Sequence, residues 1–155
     1  VDSKTTGLYF SLFNEIGIIS QLSRALMDAR LPKGLSASHF GVLNHLIRLG
    51  DGRTPLELSS AFQVPKTTMT HTLSGLEKHH LVEIRPNEKD GRSKCVWLTD
   101  KGRQLRNRTI AELIPGMDGL AEQLPPENVA SLVAELIKLR TFLDNNRDED
   151  RQQTQ

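Results

Sequence analysis

Cysteine is nearly absent: Cys95 stands alone among 155 residues, so no disulfide can form within the chain, which fits a reducing compartment. Aromatic residues make up only 5%, with one Trp and one Tyr, too few for the stacking platform that holds single-stranded nucleic acid. No apolar run approaches the roughly 18 residues that mark a membrane-spanning helix, and the first residues lack the charged-then-apolar order of a secretory signal. A cytoplasmic protein with no membrane partner is expected. The histidines, His39, His45, His71, His79 and His80, include no i, i+4 pair of the kind a helical zinc site uses, and Cys95 has no second thiol at ligand spacing. Neither a Gly-rich phosphate loop nor a nucleophile elbow occurs, so catalytic residues, metal and cofactor are not expected.

Net charge is also small, +1 overall, but the total conceals a gradient. Residues 1–65 hold six Lys/Arg and five Asp/Glu, residues 66–108 hold ten and five, and residues 109–155 hold four and nine. Positive charge is therefore concentrated in the middle of the chain, as a phosphate-binding surface requires, while the acidic C-terminal part would be repelled by DNA.

That middle stretch has a periodic structure. Met69, Leu73 and Leu76, with His80 in the same register, fall on one face of a helix and should be buried. Opposite them lie Thr67, His71, Ser74 and Lys78, flanked by Lys66 and Thr70. These short or cationic donors and acceptors suit a major groove, where base edges differ in hydrogen-bond pattern and bulky apolar groups would hold a helix off. Just upstream, Thr54-Pro55-Leu56-Glu57 combines an N-cap, a proline at the first helical position and the glutamate of a capping box. Leu58, Ala61 and Phe62 give that short helix an inner face, and Gln63-Val64-Pro65 turns the chain into the next, which is helix-turn-helix spacing. Downstream, Val82 and Ile84 alternate with Glu83 and Arg85, and Val96 and Leu98 with Cys95 and Trp97, as half-buried strands do. The polar stretch Asn87–Ser93 between them should project as a hairpin tip. The expected fold is mainly α with a small β-hairpin wing, a winged helix-turn-helix.

At this point the chain resembles the multiple antibiotic resistance regulator (MarR) family of bacterial transcription factors over nearly its whole length. The resemblance is carried by Leu76-Glu77, Leu81-Val82, Arg85-Pro86, Asp90-Gly91-Arg92, Leu98-Thr99 and Gly102. It departs from the family pattern at Pro65, at His71, where arginine is common, and at His80, where glycine is usual. The resemblance implies a homodimer on double-stranded DNA, read by Lys66, Thr67, Thr70, His71 and Ser74 of the recognition helix and by Lys89, Asp90, Arg92 and Lys94 of the wing. In it, Asp90 braces Arg92, which reaches the minor groove. It also implies a repressor released by a small phenolic or other anionic effector, with Phe13, Gly17, His39, Leu43 and Arg106 as candidate pocket residues. A winged helix serving protein assembly, without specific DNA, is the alternative.

The flanks read as dimerisation helices. From Leu8 to Ala29 the apolar positions cover more than one face, and Val129, Leu132, Val133, Leu136, Ile137, Leu139 and Leu143 form a continuous apolar side near the other end. Pro115-Gly116 should break the helix that follows the wing, and Pro126 should open the last one. The expected organisation is an N-terminal dimerisation helix in 1–34, the DNA-binding domain in 35–99, C-terminal dimerisation helices in 100–145, and a disordered polar tail over 146–155. Residues 1–7 are expected to fray.

Overall fold

A computed structural model describes residues 2–147. The described elements run α1 (Ser3–Asp28), α2 (Ala37–Leu49), α3 (Pro55–Ala61), α4 (Lys66–Lys78), β1 (Val82–Pro86), β2 (Lys94–Leu98), α5 (Asp100–Leu113), a 3-10 turn (Ile114–Met117), α6 (Asp118–Gln123) and α7 (Pro126–Asn146). They fall into two compact units, residues 1–113 and the rest from Ile114. Most of the tail expected over 146–155 lies outside the described residues, which end at Arg147.

The first unit is a winged helix. Its core joins Val42, Leu43 and Leu46 of α2, Leu58 of α3, Met69, Leu73 and Leu76 of α4, and Leu81, Val82, Val96 and Leu105. The Thr54–Glu57 capping box forms as read: Glu57 Oε2 accepts from Thr54 N at 2.7 Å and Thr54 Oγ1 from Glu57 N at 3.2 Å. Those bonds satisfy amides that a helix start leaves open. Val82 pairs with Leu98 and Pro86 with Lys94 in the antiparallel hairpin.

The wing is tied to the helices by contacts distant in sequence. Arg53 bridges to Val96, with Val96 N donating to Arg53 O at 2.8 Å and Gly52 N to Val96 O at 3.0 Å. Asp51 Oδ1 accepts from Leu98 N at 2.8 Å. The Trp97 ring lies over Gly52, whose φ of +72° is a conformation glycine adopts freely. At the other end of the hairpin, Thr99 caps α5 by accepting from Gly102 N at 3.0 Å while donating to His80 O at 2.8 Å. A β-carbon at Gly102 would stand 2.2 Å from Leu81 O, so only glycine lets α5 pack this closely. Wing and recognition helix thus form one rigid head.

Three local expectations differ from what is observed. His80 is not on the buried face of α4: the helix ends at Lys78, and His80 is exposed with φ +58°. It occupies the left-handed position that closes many helices and that glycine adopts most freely, with Leu81 N donating to Leu76 O at 3.0 Å. Ala61 is exposed, while Ser59 is buried beside Leu58. Finally, α1 starts at Ser3 rather than near Leu8, because the Asp2 carboxylate accepts from Thr5 N at 2.8 Å and caps it.

No residue of α1 is buried, although Leu8, Phe10, Ile19, Leu22 and Leu26 are each more than half exposed. α5 ends at Leu113; the second unit opens on the 3-10 turn, which holds Pro115 and Gly116, and its α7 begins at Pro126. No residue of α7 is buried either, and Leu132, Val133, Ile137, Phe142 and Leu143 are exposed along it. No described helix is long and apolar enough to cross a membrane.

Candidate nucleic-acid interface

The recognition surface begins with what α4 lacks at its start. Pro65 precedes the helix and provides no side-chain cap, so the first-turn amides point outward with the positive end of the helix dipole behind them. Lys66, Thr67, Thr70, His71 and Ser74 are all exposed, as is Thr68, which the sequence reading passed over because it flanks the polar face. Thr70 Oγ1 donates to Lys66 O at 2.9 Å, which fixes its rotamer and leaves the oxygen free to accept. Met69, Thr72, Leu73 and Leu76 anchor the opposite face.

The wing tip is locked by its own hydrogen bonds. Asn87 N donates to Ser93 O at 3.1 Å and Ser93 N to Asp90 O at 3.0 Å, while Asn87 Nδ2 donates to Ser93 Oγ at 2.8 Å. Asp90 Oδ1 accepts from Arg92 N at 3.0 Å. The aspartate therefore braces the backbone under Arg92 rather than its guanidinium. Among the described residues no carboxylate pairs with Lys89, Arg92 or Lys94, and all three are exposed. Arg85, by contrast, is occupied: it pairs with Glu83 at 2.6 Å and lies 5.5 Å from the Trp97 ring centroid. Thr70 and Ser74 of α4 and Lys94 of the wing line one cleft of about 350 Å³ with Pro55 and Ile84, so helix and wing residues read separately from the sequence meet on one surface.

Among the described residues, the five candidate pocket residues stand apart from one another in their contacts. Leu43 is fully enclosed in the core and offers no wall to a ligand. Phe13 and Gly17 are exposed on α1, Arg106 donates to Asn44 Oδ1 at 2.9 and 3.1 Å, and His39 turns back onto Ser36. A different cavity, of about 460 Å³, lies between the loop before α2, the end of α4 and the first turns of α5. Leu35, Leu81 and Leu105 give it apolar walls, and His79, Lys101 and Arg108 bring polar groups. Nothing in the sequence brings Lys101 and Arg108 together with Leu35, since their meeting depends on the tertiary fold.

The sequence profile of the MarR family matches residues 33–93. The HTH-type transcriptional repressor YetL of Bacillus subtilis (strain 168) is 28% identical over 117 residues, which span 75% of this chain and 66% of that relative. The apo form of wild-type MarR from E. coli superposes with a TM-score of 0.68 at 28% identity, over 83% of this chain and 95% of that one. The transcriptional regulator BldR from Sulfolobus solfataricus gives a TM-score of 0.71 at 26% identity, over 91% and 99%.

Proposed function

We propose that this chain, whose residues 33–93 match the MarR family profile, is a sequence-specific, duplex-DNA-binding transcription regulator of that family, not an enzyme, acting in the cytoplasm as a homodimer on an inverted-repeat operator. One observation carries the reading: Thr70 and Ser74 of α4 line one cleft with Lys94 of the wing, while Lys66, Lys89 and Arg92 are exposed without a carboxylate partner among the described residues. The exposed face of α4 enters a major groove, and Arg92 on its stiff turn reaches the adjoining minor groove, whose negative potential deepens as it narrows. The relative named as a repressor supports repression as the sign of regulation.

Selection of bound sites from a random duplex pool tests this. The expected result is an inverted repeat with half-sites about 34 Å apart, the spacing of successive major grooves. Affinity should fall steeply with salt as counterions are released. No enriched symmetric site, together with a flat salt response, would instead support a winged helix used for protein assembly.

For the effector, the cavity bounded by Leu35, Leu81, Leu105, Lys101 and Arg108 is the better-built candidate, and its chemistry fits a small aromatic carboxylate or phenolate. Such a ligand acts only through a difference in affinity between DNA-compatible and incompatible arrangements of the two heads. With benzoate as probe, release from the selected operator should be lost in Lys101→Gln/Arg108→Gln. Release that persists unchanged in the variant places the effector elsewhere.

A further inference from the structure

His39 sits between the helix that supports α4 and α4 itself. Its Nδ1 lies 3.0 Å from Ser36 N, which can only donate, so Nδ1 must be an unprotonated acceptor; Ser36 Oγ is also 3.0 Å away. The proton of the neutral ring therefore resides on Nε2. That end of the ring is pressed against α4, where a β-carbon at Gly75 would stand 2.5 Å from Nε2. Only the missing side chain of Gly75 allows the approach. One imidazole thus completes the start of α2 with one nitrogen and seats the recognition helix with its other edge.

We propose that His39, in its neutral form only, is a positioning residue for the recognition helix, so that its protonation loosens α4 and weakens DNA reading. A proton on Nδ1 would point at the Ser36 N–H, leaving two donors facing each other. Ser36 Oγ could accept that proton, but the Ser36 amide would then lose its partner at a helix start. The ring cannot simply slide away, because Gly75 closes against its far edge.

The surroundings favour the neutral form. At the end of α4, His79 Nδ1 donates to Gly75 O at 2.9 Å, and His71 lies on the exposed face of the helix. Burial, and after it the charges of His79 and His71, push the His39 imidazole below its ordinary value of 6.5. From α1, Arg24 donates to Ser38 Oγ at 2.9 Å, and the Asp28 carboxylate is taken up by Ala37 N at 2.6 Å. From α5, Arg106 is held farther along α2 by Asn44. With the folded value depressed, the unfolded chain binds the proton more readily, so stability from this seat is full above pH 6.5 and falls as pH drops toward the folded value.

The inference rests on the DNA-binding reading for its functional consequence, and two measurements separate them. First, thermal stability is followed from pH 7.5 to 5.5 in the wild type and in His39→Gln, whose amide oxygen can accept from Ser36 without titrating. The wild type should lose more stability on acidification than the variant. Second, affinity for the selected operator over the same range should fall in the wild type, by less than about tenfold per protomer because the folded value lies below 6.5, and less than half as steeply in His39→Gln. As a readout independent of the variant's own stability, the histidine ring nitrogens of the wild type are also titrated by NMR. A His39 that is Nδ1-protonated at pH 7.5, or that titrates at or above 6.5, overturns the proposal, as do parallel pH profiles of wild type and variant. Divergent stability profiles with no specific DNA binding at any pH leave the seat standing and remove the DNA-binding reading.

Discussion

Arg92→Ala is expected to lower operator affinity on the order of a hundredfold, since a dimer presents the side chain twice and each lost groove contact costs about 1–3 kcal/mol. The fold should be unaffected. Arg92 is exposed, its guanidinium has no carboxylate partner among the described residues, and the turn is held by Asn87, Asp90 and Ser93 through atoms that alanine retains. Thermal unfolding and fluorescence anisotropy on the selected operator would check both halves. The salt slope should shallow by about one phosphate equivalent per half-site if the arginine meets backbone phosphate as well as base edges. Asp90→Ala should have a smaller effect, because it removes the acceptor under Arg92 N but leaves the cation in place. An Arg92→Ala variant that binds as tightly as the wild type would remove the wing from the reading head.

Much of that head was legible before the structure because its determinants are local. The Thr54–Glu57 box, the Met69/Leu73/Leu76 stripe and the Asn87–Ser93 turn each depend on residues within one or two turns of one another, where spacing carries the geometry. What was not legible depends on closure of the fold. Nothing in Asp51 announces that its carboxylate will receive the amide of Leu98, nor in Gly52 that a Trp97 ring will cover it. His39 shows the same gap at one residue. The resemblance put it among candidate pocket residues, but only the tertiary fold brings its ring between Ser36 and Gly75. His80 was misread because periodicity continues past the last helical residue, whereas the backbone had already turned left-handed. The candidate effector residues were assembled from resemblance, and resemblance does not register that this Leu43 is sealed or that this Arg106 is engaged by Asn44.

Ile19→Asp/Leu22→Asp should convert the protein to a monomer and cost roughly 10²–10⁴ in operator affinity, the gain that linking two modest binding events supplies. The two side chains are 60% and 62% exposed on a helix that contributes nothing to the core of its own unit. Leaving such residues in water forgoes about 1.5–3 kcal/mol each, and a stripe that also includes Leu8, Phe10 and Leu26 exceeds what a monomer ordinarily displays. A second copy covering it would bury an interface of obligate size. The core of the winged helix is built from α2 to α5, so its helical signal and the hairpin should survive the double substitution. Sedimentation velocity reads the oligomeric state, and anisotropy on full and half operators reads the consequence: the wild type should prefer the inverted repeat strongly, the variant only weakly. A variant that remains dimeric would move the interface off this face of α1, and a monomeric wild type would remove the two-fold reading head, because one recognition helix with one wing contacts too few phosphates and base edges to select a site alone.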